Sequence, residues 1–313
     1  MKFVGQTLKF GTSGKLFTGC ASKSCDIASD GNVIANRPHI VSVYSQFDKL
    51  SSGVHYVFML NYLTHGVETS TPLLIIHGLY GSGKNWGVIA KRLSDEFYVI
   101  AVDLRNHGDS PWFDTHTYHD MADDLVEVIS HLNIKPNIIG HSMGGKAAMV
   151  LALKNPDLIN KLLIADIAPV KYRHDQSQFI EAMQKIDLSK VDKRSEATMA
   201  LSKYVSDKSL QNFFTQSLDL KTKSWKLNLK ILNLEMENIL SFPEIKSKFS
   251  GHTLFFKGEK SDYIRTEHRK LINSLFMRAR FATLKDAGHW LHAEKPREFE
   301  QTARLFFKEK ENF

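Results

Sequence analysis

Beyond residue 25 the chain contains no cysteine; its only two, Cys20 and Cys25, lie in the leading segment. A disulfide framework, a Cys-ligated zinc or iron–sulfur site and a cysteine nucleophile are thereby excluded from the body, because each needs sulfur that it lacks. Long apolar runs are missing too. The best stretch, residues 134–149, is broken by Lys135, Asn137, His141 and Lys146, so it falls short of the roughly 18 apolar residues that a transmembrane helix needs. Nor is charge of one sign concentrated. The 41 basic and 34 acidic residues leave a net +7. Of this surplus, +3 falls within residues 1–50 (six basic against three acidic), and +4 is scattered over the rest. Nucleic-acid binding requires clustered Lys and Arg interleaved with aromatics, so this distribution argues against it.

What is present is enough apolar material for a large core. Of 313 residues 42% are hydrophobic and 24% charged, the composition of a globular protein with one large α/β domain or two smaller ones. The first 25 residues differ from the remainder: no acid, four lysines six to eight apart, and Ser or Thr at 7, 12, 13, 18, 22 and 24. Acid-poor, basic, hydroxyl-rich N-termini are the mark of a mitochondrial transit peptide. Residues 1–50 therefore read as leader and linker, with a solvated extension, and hence a cytoplasmic protein, as the plain alternative.

From residue 51 to 313 short apolar runs alternate with longer helical patterns, the rhythm of an α/β fold with a mostly parallel sheet flanked by helices. Expected strands are Leu73–His77, Tyr98–Asp103, Asn137–Ile139, Leu162–Asp166, Thr253–Phe256 and Ala279–Leu284, with helices over 118–132, 145–154 and from Pro296 onward. Between about 170 and 250 the strand rhythm gives way to amphipathic helices, read as a helical cap over the carboxyl edge of the sheet, where open α/β folds bind ligands.

Gly140-His-Ser-Met-Gly144 sits between a strand and a helix. In G-x-S-x-G the turn is so sharp that the central serine takes a strained backbone and its hydroxyl is lifted clear of the sheet. Ser142 is thus the candidate nucleophile. A serine needs a base to take its proton and an acid to orient that base. His289, in Asp286-Ala-Gly-His-Trp-Leu-His292 after the last strand, is the candidate base, and the other thirteen histidines read as surface or packing residues. Two aspartates compete for the third position. Asp166 ends a wholly apolar strand, where pairing with histidine would offset its desolvation, and Asp262 follows the next strand among solvated neighbours. The oxyanion of acyl transfer needs two backbone donors, one beside the nucleophile and one from the loop after an early strand, which nominates the N–H groups of Met143 and Leu79. Cap residues Phe179, Met183, Phe213, Phe214 and Trp225 could line an acyl pocket or simply hold the cap to the body.

Two segments, Gly78–Lys84 and Gly140–Lys146, also fit G-x-x-x-x-G-K. Each lacks the following Ser/Thr that would bind magnesium, having Asn85 and Ala147 instead, so nucleotide binding is disfavoured. Neither a cofactor nor a metal is required by the chemistry of these residues.

The motifs His77-Gly-Leu-Tyr-Gly81, Asp103-Leu-Arg-Asn-His-Gly108, Gly140-His-Ser-Met-Gly-Gly-Lys146, Asp166-Ile-Ala-Pro169 and Ala287-Gly-His-Trp290 with His292-Ala-Glu294, in this order, resemble the α/β-hydrolase superfamily. Within it they are similar to a subfamily of bacterial short-chain esterases, a mammalian mitochondrial abhydrolase-domain protein linked to lipoylation of 2-oxoglutarate dehydrogenase, and yeast ethanol acetyltransferases. The resemblance implies the α/β-hydrolase fold, with Ser142 as nucleophile, His289 as base and Asp166 as acid. It further implies Ser261 as a hydrogen-bonding partner of the triad, with Asp262 an open alternative acid. The expected activity is cleavage of small carboxylic esters or thioesters through an acyl-enzyme, with acyl transfer to an alcohol as a variant. A protective, weakly catalytic role beside a mitochondrial 2-oxoacid dehydrogenase complex is the alternative, and the mitochondrial matrix the expected compartment.

Overall fold

The computed structural model describes residues 39–41, 47–48, 55–56 and 59–309. The described residues all belong to one compact unit. The expected targeting segment, residues 1–25, lies outside the described residues.

Eight strands build the central sheet: β1 (His39–Val41), β2 (Tyr62–His65), β3 (Thr71–Ile76), β4 (Phe97–Val102), β5 (Asn137–His141), β6 (Leu162–Ala165), β7 (Phe249–Gly258) and β8 (Phe276–Leu284). They lie in the order β1-β2-β4-β3-β5-β6-β7-β8. Pairing is parallel from β4 through to β8, and β2 runs antiparallel to both of its neighbours. β1 falls within residues 1–50, so the sheet begins upstream of the expected boundary at 51.

The strands read as unbroken apolar runs because both sheet faces are covered. Strand parity divides them. Leu74, Ile76, Ile100, Ile138 and Ile164 face one core with helices α2 (Tyr118–His131) and α3 (Met143–Lys154). Leu73, Ile75, Val99, Ile139 and Leu163 face a second core with α1 (Gly87–Leu93) and the C-terminal helix (Pro296–Lys308). That last helix buries Phe299, Ala303, Phe306 and Phe307, the i, i+4, i+7, i+8 stripe of an amphipathic helix. α3 is buried along Met143–Leu153, as befits a helix with little polarity on any side.

Between β6 and β7 the expected cap consists of five short helices: α4 (Ser177–Gln184), α5 (Arg194–Leu201), α6 (Lys208–Gln216), α7 (Leu229–Leu234) and α8 (Met236–Leu240). A small strand pair, Leu218–Asp219 with Ser224–Trp225, lies among them. The sequence pattern did not anticipate that pair.

Candidate active site

Ser142 occupies the turn from β5 into α3 with φ 51° and ψ −121°, a left-handed conformation that costs a non-glycine residue about 1–3 kcal/mol. Neighbouring glycines make room for it. A Cβ on Gly140 would come within 2.7 Å of the Gly144 carbonyl oxygen, and one on Gly144 would strike the carbonyls of Ile76 and His77. The turn is held in place by the Ser142 N–H, which donates to the Ala165 carbonyl at 3.1 Å, and by the Lys146 N–H, which donates to that of Ser142 at 3.1 Å.

Three of the sequence-predicted residues meet here. His289 Nε2 lies 3.1 Å from Ser142 Oγ, and its Nδ1 lies 2.8 Å from Asp166 Oδ2. The partner of Nδ1 selects the tautomer that leaves Nε2 free to accept a proton from the hydroxyl. Asp166 follows β6 with φ 52° and is fully buried. Its charge is met by the Gly258 N–H at 3.1 Å and by the Ser261 hydroxyl, the contact that the resemblance implied. Asp262 is not the partner of His289. Its side chain is exposed, and its carbonyl accepts from Arg265 Nε at 3.1 Å. It is the preceding residue, Ser261, that turns to the buried carboxylate.

Other groups fix the His289 loop, and sequence reasoning passed over them. The Glu294 carboxylate accepts the N–H of Gly288 at 2.8 Å and of Trp290 at 3.2 Å. His141 Nε2 lies 2.9 Å from the His289 carbonyl and donates to it. The Tyr263 ring stacks on the imidazole with centroids 4.0 Å apart. The available signals were Glu294 five residues after His289 and the histidine inside the G-x-S-x-G motif itself.

Leu79 and Met143 both line the cavity above Ser142. The Leu79 loop rests on two buried histidines. His77 Nε2 accepts the Leu104 N–H at 2.9 Å while its Nδ1 donates to the Gly78 carbonyl at 2.8 Å, and His107 Nε2 accepts the Tyr80 N–H at 3.2 Å. Accepting an N–H requires an unprotonated nitrogen. Burial keeps both rings neutral, bringing His77 down to about 4 and His107 to about 3. These are structural acceptors beneath the loop, a role that the surface-or-packing reading did not include.

Neither phosphate-loop look-alike forms a free cradle. The Gly83 N–H donates to the buried Asp103 carboxylate at 2.7 Å and Lys84 pairs with Asp109 at 2.9 Å. In the second, Ser142 and the glycines shape the turn just described.

The cavity has a volume of about 340 Å³. Phe179, Phe213 and Phe214 of the cap line it, together with Ile167, Trp290 and Tyr263. Met183 and Trp225 do not. They are buried inside the cap, where Trp225 Nε1 donates to the Met183 carbonyl at 3.1 Å. An apolar chamber opening onto an Oγ–Nε2–carboxylate chain is suited to acyl groups.

The comparisons agree with this fold. A family model described as "alpha/beta hydrolase fold" matches residues 71–198. The mouse (Mus musculus) "sn-1-specific diacylglycerol lipase ABHD11" is 35% identical over 255 residues, covering 78% of this chain and 83% of that protein. "Esterase YbfF" of Escherichia coli (strain K12) is 35% identical, over 73% of this chain and 90% of its own length. Among solved structures, a "Marine microorganism esterase" superposes with a TM-score of 0.76 at 40% identity, covering 80% of this chain and all of that one (100%). With the sheet order, the turn at Ser142 and relatives that match over most of their length, the chain belongs to the α/β-hydrolase family.

Proposed function

We propose that the protein is a serine hydrolase that cleaves carboxylic esters and thioesters through an acyl-enzyme on Ser142. The observation that carries this is the continuous chain from Ser142 Oγ to His289 Nε2 at 3.1 Å and from His289 Nδ1 to Asp166 at 2.8 Å. Ser142 Oγ attacks the acyl carbon and its proton passes to His289 Nε2, while Asp166 steadies the imidazolium. The N–H groups of Leu79 and Met143 receive the oxyanion. Collapse of the intermediate expels the alcohol or thiol, which takes the proton from His289. A water molecule then repeats the sequence on the acyl-enzyme, releasing the acid and restoring the serine. An alcohol in place of water gives acyl transfer.

A fluorophosphonate probe tests the assignment. Wild type is labelled and Ser142→Ala is not, and labelling of the alanine variant at the wild-type rate would mean that another residue is the nucleophile. A purely protective binding role is less well supported, since it has no use for a strained serine aligned with a buried His–Asp pair. The mitochondrial address rests on the acid-poor, lysine-bearing N-terminus, together with the resemblance to a mitochondrial abhydrolase-domain protein. Fusion of residues 1–50 to a fluorescent protein tests it, with uptake by mitochondria the expected outcome.

A further inference from the structure

Lys146 is a buried charge for which the reaction just described has no use. It sits one helical turn after Ser142, is 1% exposed, and belongs to the wall of the acyl cavity. Its ammonium donates to the carbonyls of Leu240 at 2.9 Å and Ser241 at 2.6 Å, at the end of cap helix α8. Around it are the rings of Tyr172, 4.9 Å to the centroid, and Tyr118, 5.6 Å, both of which also line the cavity. An ammonium has three donors; two are accounted for, and among the described residues nothing takes the third. No carboxylate among them pairs with it either.

A desolvated cation held only by neutral groups is costly. Here burial, with no charge to oppose it, brings the ammonium down to about 7. A hydrophobic residue of similar volume would fill the wall without that cost. An anion beside the ammonium would relieve that cost, and Lys146 belongs to the wall of the chamber where the acyl group must lie.

We propose that Lys146 is a specificity-determining residue that receives a carboxylate at the far end of the acyl chain, so that the enzyme takes half-esters and half-thioesters of short dicarboxylic acids. This rests on the serine-hydrolase reading of the same site. Lys146 acts on the bound acyl group and takes no part in the proton transfers at Ser142. Its grip on α8 sets the position of the charge relative to the scissile carbonyl, and hence one preferred chain length.

The test compares succinyl, glutaryl and adipyl thioesters of N-acetylcysteamine with branched alkanoyl thioesters of matched size, in which an isopropyl group replaces the carboxylate. In wild type at least one dicarboxylic substrate is expected to match or exceed its alkanoyl counterpart in kcat/KM. In Lys146→Met that substrate should lose at least tenfold while the alkanoyl counterpart is retained or improved, and Lys146→Arg should recover part of the loss. Fluorophosphonate labelling of each variant keeps the two readings apart, because it reports the nucleophile whatever the acyl preference. Absence of labelling in wild type would sink the hydrolase reading and this inference with it. With labelling intact, a wild-type enzyme that rejects all three dicarboxylic thioesters, or a Lys146→Met variant that loses both series in proportion, would show that Lys146 is only a strut between α3 and the cap.

Discussion

At the scale of single residues, the site joins side chains far apart in sequence through the carboxylate of Asp166. That group is wholly buried and receives His289, Ser261 and the Gly258 N–H. Removing one hydrogen bond to a charged group costs about 1.5–3 kcal/mol, so Ser261→Ala should lower kcat/KM by about tenfold or somewhat more. Asp166→Asn, which disrupts the tautomer needed at Ser142, should lower kcat by about 10⁴. Asp262→Asn should leave both constants within a factor of two. Steady-state kinetics on a p-nitrophenyl ester check all three, and an Asp262→Asn variant as impaired as Asp166→Asn would overturn the assignment. Ser142, His289 and Asp166 were legible in the sequence because each occupies a place that topology dictates: a glycine-flanked turn, the loop after the last strand, the end of an apolar strand. Ser261 and Glu294 act through neighbours: Ser261 was implied only by the resemblance, and Glu294, at the end of the helical turn Leu291–Glu294, was marked only by its place five residues after His289. Phe179 and Met183, four residues apart on α4, show the same limit. Both are apolar, but only the first reaches the cavity.

Among elements, the strands with both faces covered were readable as continuous apolar runs, and their expected bounds lie within a few residues of β3 to β6. β2 (Tyr62–His65) was not, because an antiparallel strand near the sheet edge is short and half polar. The loop after β3 teaches most. Its own His77 accepts the Leu104 N–H from the loop after β4, and its Tyr80 N–H is accepted by His107; the two rings are 5.2 Å apart, with His116 5.3 Å beyond His107. A histidine held neutral below its ordinary range binds fewer protons folded than unfolded, so stability is complete above the unfolded value near 6.5. As pH falls below that value, stability is lost until the folded values of about 4 for His77 and about 3 for His107 and His292 are reached. The slope is about 1.4 kcal/mol per pH unit for each such histidine. Urea midpoints measured from pH 7 to 4 should therefore fall steeply. His107→Gln should flatten the slope by roughly one histidine's share, and an unchanged slope would show that the ring is not held neutral in the folded chain.

Over the whole molecule, the sheet supplies the reacting groups at its carboxyl edge and the insertion between β6 and β7 supplies the chamber that selects the acyl group. Two adjacent phenylalanines of α6 separate these tasks. Phe214 is 1% exposed and packs on Tyr80 and Phe179 with centroids 5.5 and 5.1 Å away, so Phe214→Ala should cost about 3–5 kcal/mol of stability. Phe213 is only half-buried and reaches across the chamber toward Trp290, at 6.4 Å. Truncating it removes a wall at lower structural cost, because part of its surface already meets solvent. The space gained adds to a cavity of about 340 Å³. Phe213→Ala should therefore move the optimum of a graded p-nitrophenyl ester series toward longer acyl chains, with kcat/KM for short esters lowered by about tenfold or less. The melting temperature should fall less than in Phe214→Ala. If the chain-length optimum of Phe213→Ala stayed where it is in wild type, the acyl group would have to lie away from the α6 side of the cap, along the wall that carries Lys146 and Tyr172.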